Sequence, residues 1–249
     1  MELQKRLQTE LLRDANVKLL AAETWGLPVH SLEIAYETVK RTKMDILMKM
    51  LLISFRKAPF QSAEEVSDML LVEPLFIQDM IEAMARAGLI TKKEAGYSLT
   101  DAGHQQLESG IYVQPPEREE QTAYFSPAHD SFLQGDVKQT KSKVFRHAGN
   151  SWQAKDISEE KLREILEQLQ DVGEGEQEQR SIHSIQSVTE MDSHSVECFE
   201  FRLHHVTNDR MFVRVWNTMT GEWDNVLEQC IIERDLNEWR KMYKKAGGS

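Results

Sequence analysis

Apolar side chains recur at helical spacing over the first part of the chain and at every second position near its end, so helices are expected first and strands last. Leu3, Leu7, Leu11, Ala15 and Leu19 form one stripe, with Gln, Lys, Glu and Arg between them, and predict a helix over the first twenty residues. That stripe needs a surface to pack on, either the helices that follow or the same arm of a second subunit. Trp25-Gly26-Leu27-Pro28 reads as a helix breaker. Ser31 is placed to cap a second helix running to about Lys40, and Thr42, with Asp45 three residues on, a third ending near Arg56.

The punctuation is clearest over the next fifty residues. Ser62-Ala63-Glu64-Glu65 is a capping box, opening a short helix expected to bury Val66, Met69 and Leu70. Pro74 suits the first turn of the next helix, where its missing N–H costs nothing, and Gly88 suits the end of it. Leu89-Ile90 and Tyr97-Ser98-Leu99 then read as two short strands around Glu94-Ala95-Gly96, and Thr100 begins a helix through Leu107.

Beyond residue 110 the periodicity weakens. Residues 111–180 read as a connector with one acidic helix, capped by Ser158 and carrying Leu162, Ile165, Leu166 and Leu169 on one face. It ends in a solvated run from Asp171 to Arg180, with no apolar residue after Val172. Ile182, Ile185 and Val188 suggest a strand. Phe199, Phe201 and Leu203 then alternate with Cys198, Glu200, Arg202 and His204. Met211, Val213 and Val215 alternate with Phe212, Arg214 and Trp216, so Thr207-Asn208-Asp209 is the turn of a β-hairpin. Asp224 is placed to cap a last helix that buries Leu227, Ile231, Trp239 and Tyr243 against the sheet. The fold class is therefore α+β: a helical arm over 1–43, a compact helical and hairpin region over 44–110, the connector over 111–180, and a small antiparallel-sheet domain with a C-terminal helix over 181–249.

The order helix, helix, turn, helix and two-stranded wing resembles the winged-helix superfamily, particularly its MarR-like and PadR-like members. The likeness rests on Ala87-Gly88-Leu89-Ile90 and on Tyr97-Ser98-Leu99-Thr100-Asp101-Ala102-Gly103, and covers about a quarter of the chain. It implies that the third helix enters a major groove and that the wing touches the DNA backbone. The residues in those places are Gln78 on the helix, Lys92 and Lys93 on the wing, and Arg56 and Lys57 as backbone support. Glu73, Asp79 and Glu82 on the same helix oppose phosphate. Leu75, Phe76 and Ile77 are consecutive, so they cannot all face one core, and an outward one suits a protein partner.

Charge narrows the choice without closing it. The chain has 249 residues and a formal net charge of -11. That excludes the dense cationic surface of a histone-like protein. Residues 150–180 hold four basic and nine acidic side chains, whereas residues 41–110 hold eight and ten. The acid is thus concentrated away from the winged-helix segment. A second basic cluster, Lys138, Lys141, Lys143 and Arg146 with Phe145 and His147, fits either a solvated loop or phosphate contact with an aromatic stack.

Catalytic chemistry finds little support. Asp192-Ser193-His194-Ser195 holds triad residue types, but neighbours in sequence cannot converge as a triad requires. Cys198 with His204 as its base, or His194, Cys198 and His204 around a metal, would need a favourable fold between them. Two cysteines exclude a disulfide scaffold, and Walker A, GxGxxG and HExxH sequences are missing. No cofactor or metal is expected. The sequence points to a cytoplasmic, non-catalytic regulator that contacts duplex DNA weakly or with a partner, its C-terminal module sensing a ligand or binding a protein. The alternative is an adaptor subunit that docks through Leu75, Phe76 and Ile77. The N-terminal helix leaves room for a homodimer, and no membrane partner is expected.

Overall fold

The computed structural model describes residues 2–149, 152–170 and 178–246. It is mixed α and β, and its paired strands with assigned register are antiparallel. The chain opens with α1 (Glu2–Leu11) and continues into β1 (Val17–Lys43), a strand of 27 residues. There follow α2 (Ile46–Lys57), α3 (Ala63–Leu70), α4 (Pro74–Arg86), β2 (Ile90–Lys93), β3 (Gly96–Leu99) and α5 (Asp101–Ser109). Next come β4 (Ile111–Val113), β5 (Glu117–Ser126), β6 (Ser131–Leu133) and α6 (Glu159–Leu169). The chain closes with β7 (Glu178–His205), β8 (Arg210–Asn217), β9 (Glu222–Trp223) and α7 (Asn225–Ala246). No helix among the described residues is long and apolar enough to cross a membrane.

Two compact units share the chain. The first contains Met1–Ile34, Glu120–Leu169 and Ser187–Ser249, and the second contains Ala35–Glu119 and Gln170–Gln186. The strands of the larger sheet lie in the order β6-β5-β1-β7-β8-β9, with β4 pairing β1 off this path. The β7–β8 hairpin pairs Cys198 with Asn217 and His205 with Arg210, as the alternating pattern predicts. One face of this sheet buries Trp25, Leu27, Val29, Val196, Cys198, Val213 and Val215 against Leu227, Ile231 and Trp239 of α7. Asp224 caps α7 by accepting the Leu227 amide at 3.1 Å. A separate cluster joins Phe199, Phe201 and Leu203 to Leu3, Leu7 and Leu11 of α1.

The helical arm expected over residues 1–43 is mostly strand. Leu3, Leu7 and Leu11 do form one helical stripe, but α1 stops at Leu11, and Ala15 is exposed in the turn that follows. The extended region has a period of two: Trp25, Leu27, Val29 and Ser31 are buried, and after a phase change so are Leu32, Ile34, Tyr36 and Thr38. A strand buried on both faces reads as a nearly continuous apolar run, which periodicity alone cannot separate from a buried helix. Pro28, which would break a helix, has a φ compatible with extended backbone. Ser31 therefore caps nothing, and the N-cap of α2 is Asp45 itself, accepting from the Leu47 and Met48 amides. Residues 111–133, expected to be connector, supply three strands. The acidic helix expected after Ser158 is present as α6, burying Leu162, Ile165 and Leu166. Of the expected solvated run, residues 171–177 lie outside the described residues, and Arg180 belongs to β7.

In the second unit β1 pairs with β4, Arg41 opposite Val113 and Lys43 opposite Ile111, with α2 to α5 and the β2–β3 hairpin between them in sequence. The core of these helices is Met48, Leu51, Leu52, Phe55, Val66, Ile77, Ile81, Met84, Leu89, Ile90 and Leu107.

Candidate functional site

Local chemistry fixes α3, α4 and the hairpin. Ser62 Oγ accepts the Glu65 amide, and the Glu65 carboxylate takes the Gln61 amide, one residue earlier than the capping box predicts. Leu71 ends α3 with a φ of 55°, in the left-handed region that disfavours side chains, and Pro74 occupies the first turn of α4. Gly88 has a φ of 70° and turns the chain from α4 into β2.

The residues that resemble winged-helix proteins have a structural explanation. Thr100 accepts the Gly103 amide at 3.1 Å and donates to the Gly88 and Leu89 carbonyls. A Cβ on Gly103 would lie 2.1 Å from the Leu89 carbonyl oxygen, so only glycine lets α5 approach so closely. The Ala87-Gly88-Leu89-Ile90 and Tyr97-to-Gly103 segments therefore clasp each other and close the hairpin onto α5. They are fold-determining.

Burial on α4 follows the helical period. Ile77, Ile81 and Met84 point inward, while Leu75 is 68% exposed and Phe76 55% exposed. Of the three consecutive apolar residues expected to offer a docking face, Ile77 is thus withdrawn into the core, because its position shares a face with Ile81 and Met84. Met69 is exposed rather than buried, and Leu71 is 91% exposed. Met69, Leu71, Leu75 and Phe76 together leave the end of α3 and the start of α4 apolar, and Asp68, Glu73, Asp79 and Glu82 are exposed among them. Gln78, the base-reading candidate, donates to Glu82 at 2.8 Å. One of its amide donors is engaged within its own helix.

The cations gather elsewhere. Arg56 and Lys57 are exposed at the end of α2, and Lys92 and Lys93 on β2. Lys92 lies 5.2 Å from the centroid of Tyr97, which packs against Phe55, so the hairpin adjoins the end of α2. Gly96 has a φ of 122°, and a Cβ there would meet the Phe60 carbonyl at 2.4 Å. That contact, with the Tyr97 amide on the same carbonyl, ties the hairpin to the loop after α2.

In the first unit the basic cluster of residues 138–146 comes apart. Phe145 is buried and stacks on Trp25 with centroids 4.3 Å apart, so it offers no platform for a base. Arg146 turns inward, reaching Glu200 at 2.7 and 3.1 Å and Asp235 at 2.6 Å. Glu200 is fully buried and also receives Arg202 at 2.9 Å and the Trp25 indole N–H at 2.8 Å. Burial pushes the Glu200 carboxyl up, but its two guanidinium partners outweigh this and hold it below the usual carboxylate range. Lys138, Lys141 and Lys143 remain exposed.

One arrangement that looks catalytic was not apparent from the sequence. His129 Nδ1 lies 2.8 Å from Ser126 Oγ, and its Nε2 lies 2.9 Å from Asp224. These are triad residue types in hydrogen-bonded order, but Ser126 is fully buried, and the His129 and Asp224 side chains are each only 5% exposed. Asp224 is further committed to Asn217 and to the cap of α7. The three residues clip β5 to α7 and leave no room for a carbonyl at the serine. Burial raises the Asp224 carboxyl, while hydrogen bonds from His129, Asn217 and the Leu227 amide lower it by more.

Cys198 is likewise unsuited to attack: burial, then the nearby Asp224 and Glu197 carboxylates, push its thiol above its ordinary range. His204 pairs with Asp209, and His194 meets Gln139. Among the described residues no three His, Cys, Asp or Glu side chains converge on a metal position. The candidate surface is therefore the exposed end of α3 and start of α4, with the cations of α2 and β2 as a separate patch. No protein-family model matches the chain, and neither does any curated protein or solved structure, so the geometry of this surface carries the functional reading.

Proposed function

We propose that residues 46–109 form a winged-helix module that acts as a protein-docking adaptor. Its partner would present apolar side chains flanked by Lys or Arg. The observation that carries this reading is the character of α4. Where a DNA-reading helix needs free donors, this one exposes Leu75 and Phe76 beside Leu71, within a rim of Glu73, Asp79 and Glu82, and its Gln78 is bonded to Glu82. Burying a large apolar side chain is worth about 1.5–3 kcal/mol. Leu71, Leu75 and Phe76 are 91%, 68% and 55% exposed, so burying what remains supplies roughly 3–6 kcal/mol, comparable to the lower end of the cost of association and suited to a weak, reversible complex.

Arg56, Lys57, Lys92 and Lys93 favour a second reading, in which this patch touches duplex DNA through its phosphates alone. The two separate by mutation. Docking expects a partner from the native source to co-purify with wild type, to be lost with Leu75→Asp or Phe76→Asp, and to be retained with Lys92→Glu plus Lys93→Glu. A DNA contact expects salt-sensitive retention on duplex DNA that the charge reversals abolish and Phe76→Asp leaves intact. Loss of neither activity in its assigned variant would refute both readings.

A further inference from the structure

A second surface of the same unit has the opposite electrostatic character. A cavity of 720 Å³ opens where the end of β1, the first turn of α2, the α5–β4 turn and the start of β7 meet. Arg41, Lys43 and Lys49 line it, with Met44, Ile46 and Ile111 as its apolar wall. On a chain of net charge -11, three cations around one pocket are a local inversion of sign.

The fold holds them there. Arg41 and Lys43 are two positions apart on β1 and pair with Val113 and Ile111 of β4, so all four side chains rise from one face of the strand pair. Ile46 and Lys49 are three apart on α2 and share a face of that helix. Lys43 and Lys49 form no ion pair among the described residues. Among the described residues Arg41 meets the neutral Ser181 hydroxyl, at 3.5 Å, and no carboxylate. Asp45, the nearest carboxylate in sequence, has one oxygen committed to the Leu47 and Met48 amides at 2.7 and 3.3 Å. Any anion is therefore met by the side chains. Two of the three wall residues are left wet, Ile46 at 76% and Ile111 at 44% exposed, while Met44 is buried behind them. An inorganic ion would use the cations and leave that wall in water, whereas a molecule with both parts would satisfy both.

We propose that this pocket binds an amphipathic organic anion, with a carboxylate or phosphate head among Arg41, Lys43 and Lys49 and an apolar body against Met44, Ile46 and Ile111. The cavity volume lies within the range of small-molecule sites, roughly 300–1,000 Å³. The same chemistry is offered by a free acid and by an anionic lipid, and the site does not depend on how α4 is used.

The test is calorimetric titration of the full chain with monomeric decanoate and with its neutral counterpart decanol. Co-sedimentation with phosphatidylglycerol vesicles, and with phosphatidylcholine vesicles as control, forms the second arm. Decanoate is expected to bind once per chain, weaken about threefold in Lys49→Gln, and weaken tenfold or more, as a rough lower bound, in Lys43→Glu plus Lys49→Glu. Ile46→Ser should weaken it as well, and decanol should fail to bind. If phosphatidylglycerol vesicles alone bind and the double reversal abolishes that, the source is a lipid and the site stands. Binding that is absent in both arms, that survives the double reversal, or that decanol matches overturns the proposal.

Discussion

Replacing Glu200 with glutamine keeps its shape and removes the charge on which two buried or half-buried arginines converge. Deleting one partner of a buried ion pair costs about 3–5 kcal/mol, because the other charge is left uncompensated. Here relief is available: the Arg146 side chain is 32% exposed and keeps Asp235, while Arg202 keeps Glu23 and lies over the Trp239 ring. The expected loss is therefore nearer 2–3 kcal/mol, or roughly 4–12 °C in Tm for a protein of this size. All five tryptophans fall in the first unit, the unit that contains Glu200, so intrinsic tryptophan fluorescence during urea unfolding reports on the right part of the molecule. The pH dependence follows from the sign of the shift. Glu200 ionises below its ordinary value of 4.5, so its contribution is complete above that value and is lost as the pH falls through the lowered one. The gap between wild type and Glu200→Gln should thus be constant from neutrality down to about pH 5 and shrink in stronger acid. A loss under about 0.5 kcal/mol, the level of an ordinary surface change, would refute the clamp. So would a gap that does not narrow in acid.

Three further outcomes are expected. A Cβ on Gly26 would lie 1.8 Å from Ser195 Oγ, so Gly26→Ala should cost about 1–3 kcal/mol in urea unfolding, and Ser195→Gly in the same chain should recover part of it; no recovery would place the strain elsewhere. Thr100→Ala removes the cap of α5, worth about 1 kcal/mol, and should speed amide hydrogen exchange over Asp101–Ser109 while leaving α7 unchanged. Cys230 is partly exposed and Cys198 buried, so a thiol reagent should titrate one cysteine in the native chain and the second only after denaturation. Equal native rates would contradict the burial of Cys198.

What could be read from the sequence was what the chain settles within a few residues. Asp224, Thr100, Ser62, Pro74 and Gly88 each act on their own turn, and each stands where its residue type placed it. The β7–β8 hairpin was legible for the same reason, since its alternation and its turn are adjacent. β1 was not, because the Leu3-Leu7-Leu11 spacing runs on by chance through Ala15 and Leu19, and strand pairing is decided by distant residues. The buried polar sites were equally hidden: His129 and Asp224 are 95 residues apart, and Arg146 and Glu200 are 54. A single hint was available. Glu200 and Arg202 share a strand face with Cys198 and alternate with Phe199 and Phe201, and a carboxylate and a guanidinium within so apolar a strand need partners. On α4 the sequence showed that Leu75, Phe76 and Ile77 could not all be buried, but only packing against Ile81 and Met84 decides which one is.

The pairing of Lys43 with Ile111 has one more consequence. Residues 44–110 leave the strand pair at one position and return at the position directly across from it, and the Met44 amide donates to the Gly110 carbonyl at 2.9 Å to seal the junction. For β1 and β4 the whole helical segment is therefore an oversized hairpin loop. Directly opposed residues in such a pair have Cα atoms only about 4.5–5.5 Å apart, a gap that a two-residue turn spans. The segment can thus be treated as a cassette: excised and replaced by Asn-Gly, it should leave the strand pair able to close, and another module with neighbouring ends could be spliced into the same place without moving either strand.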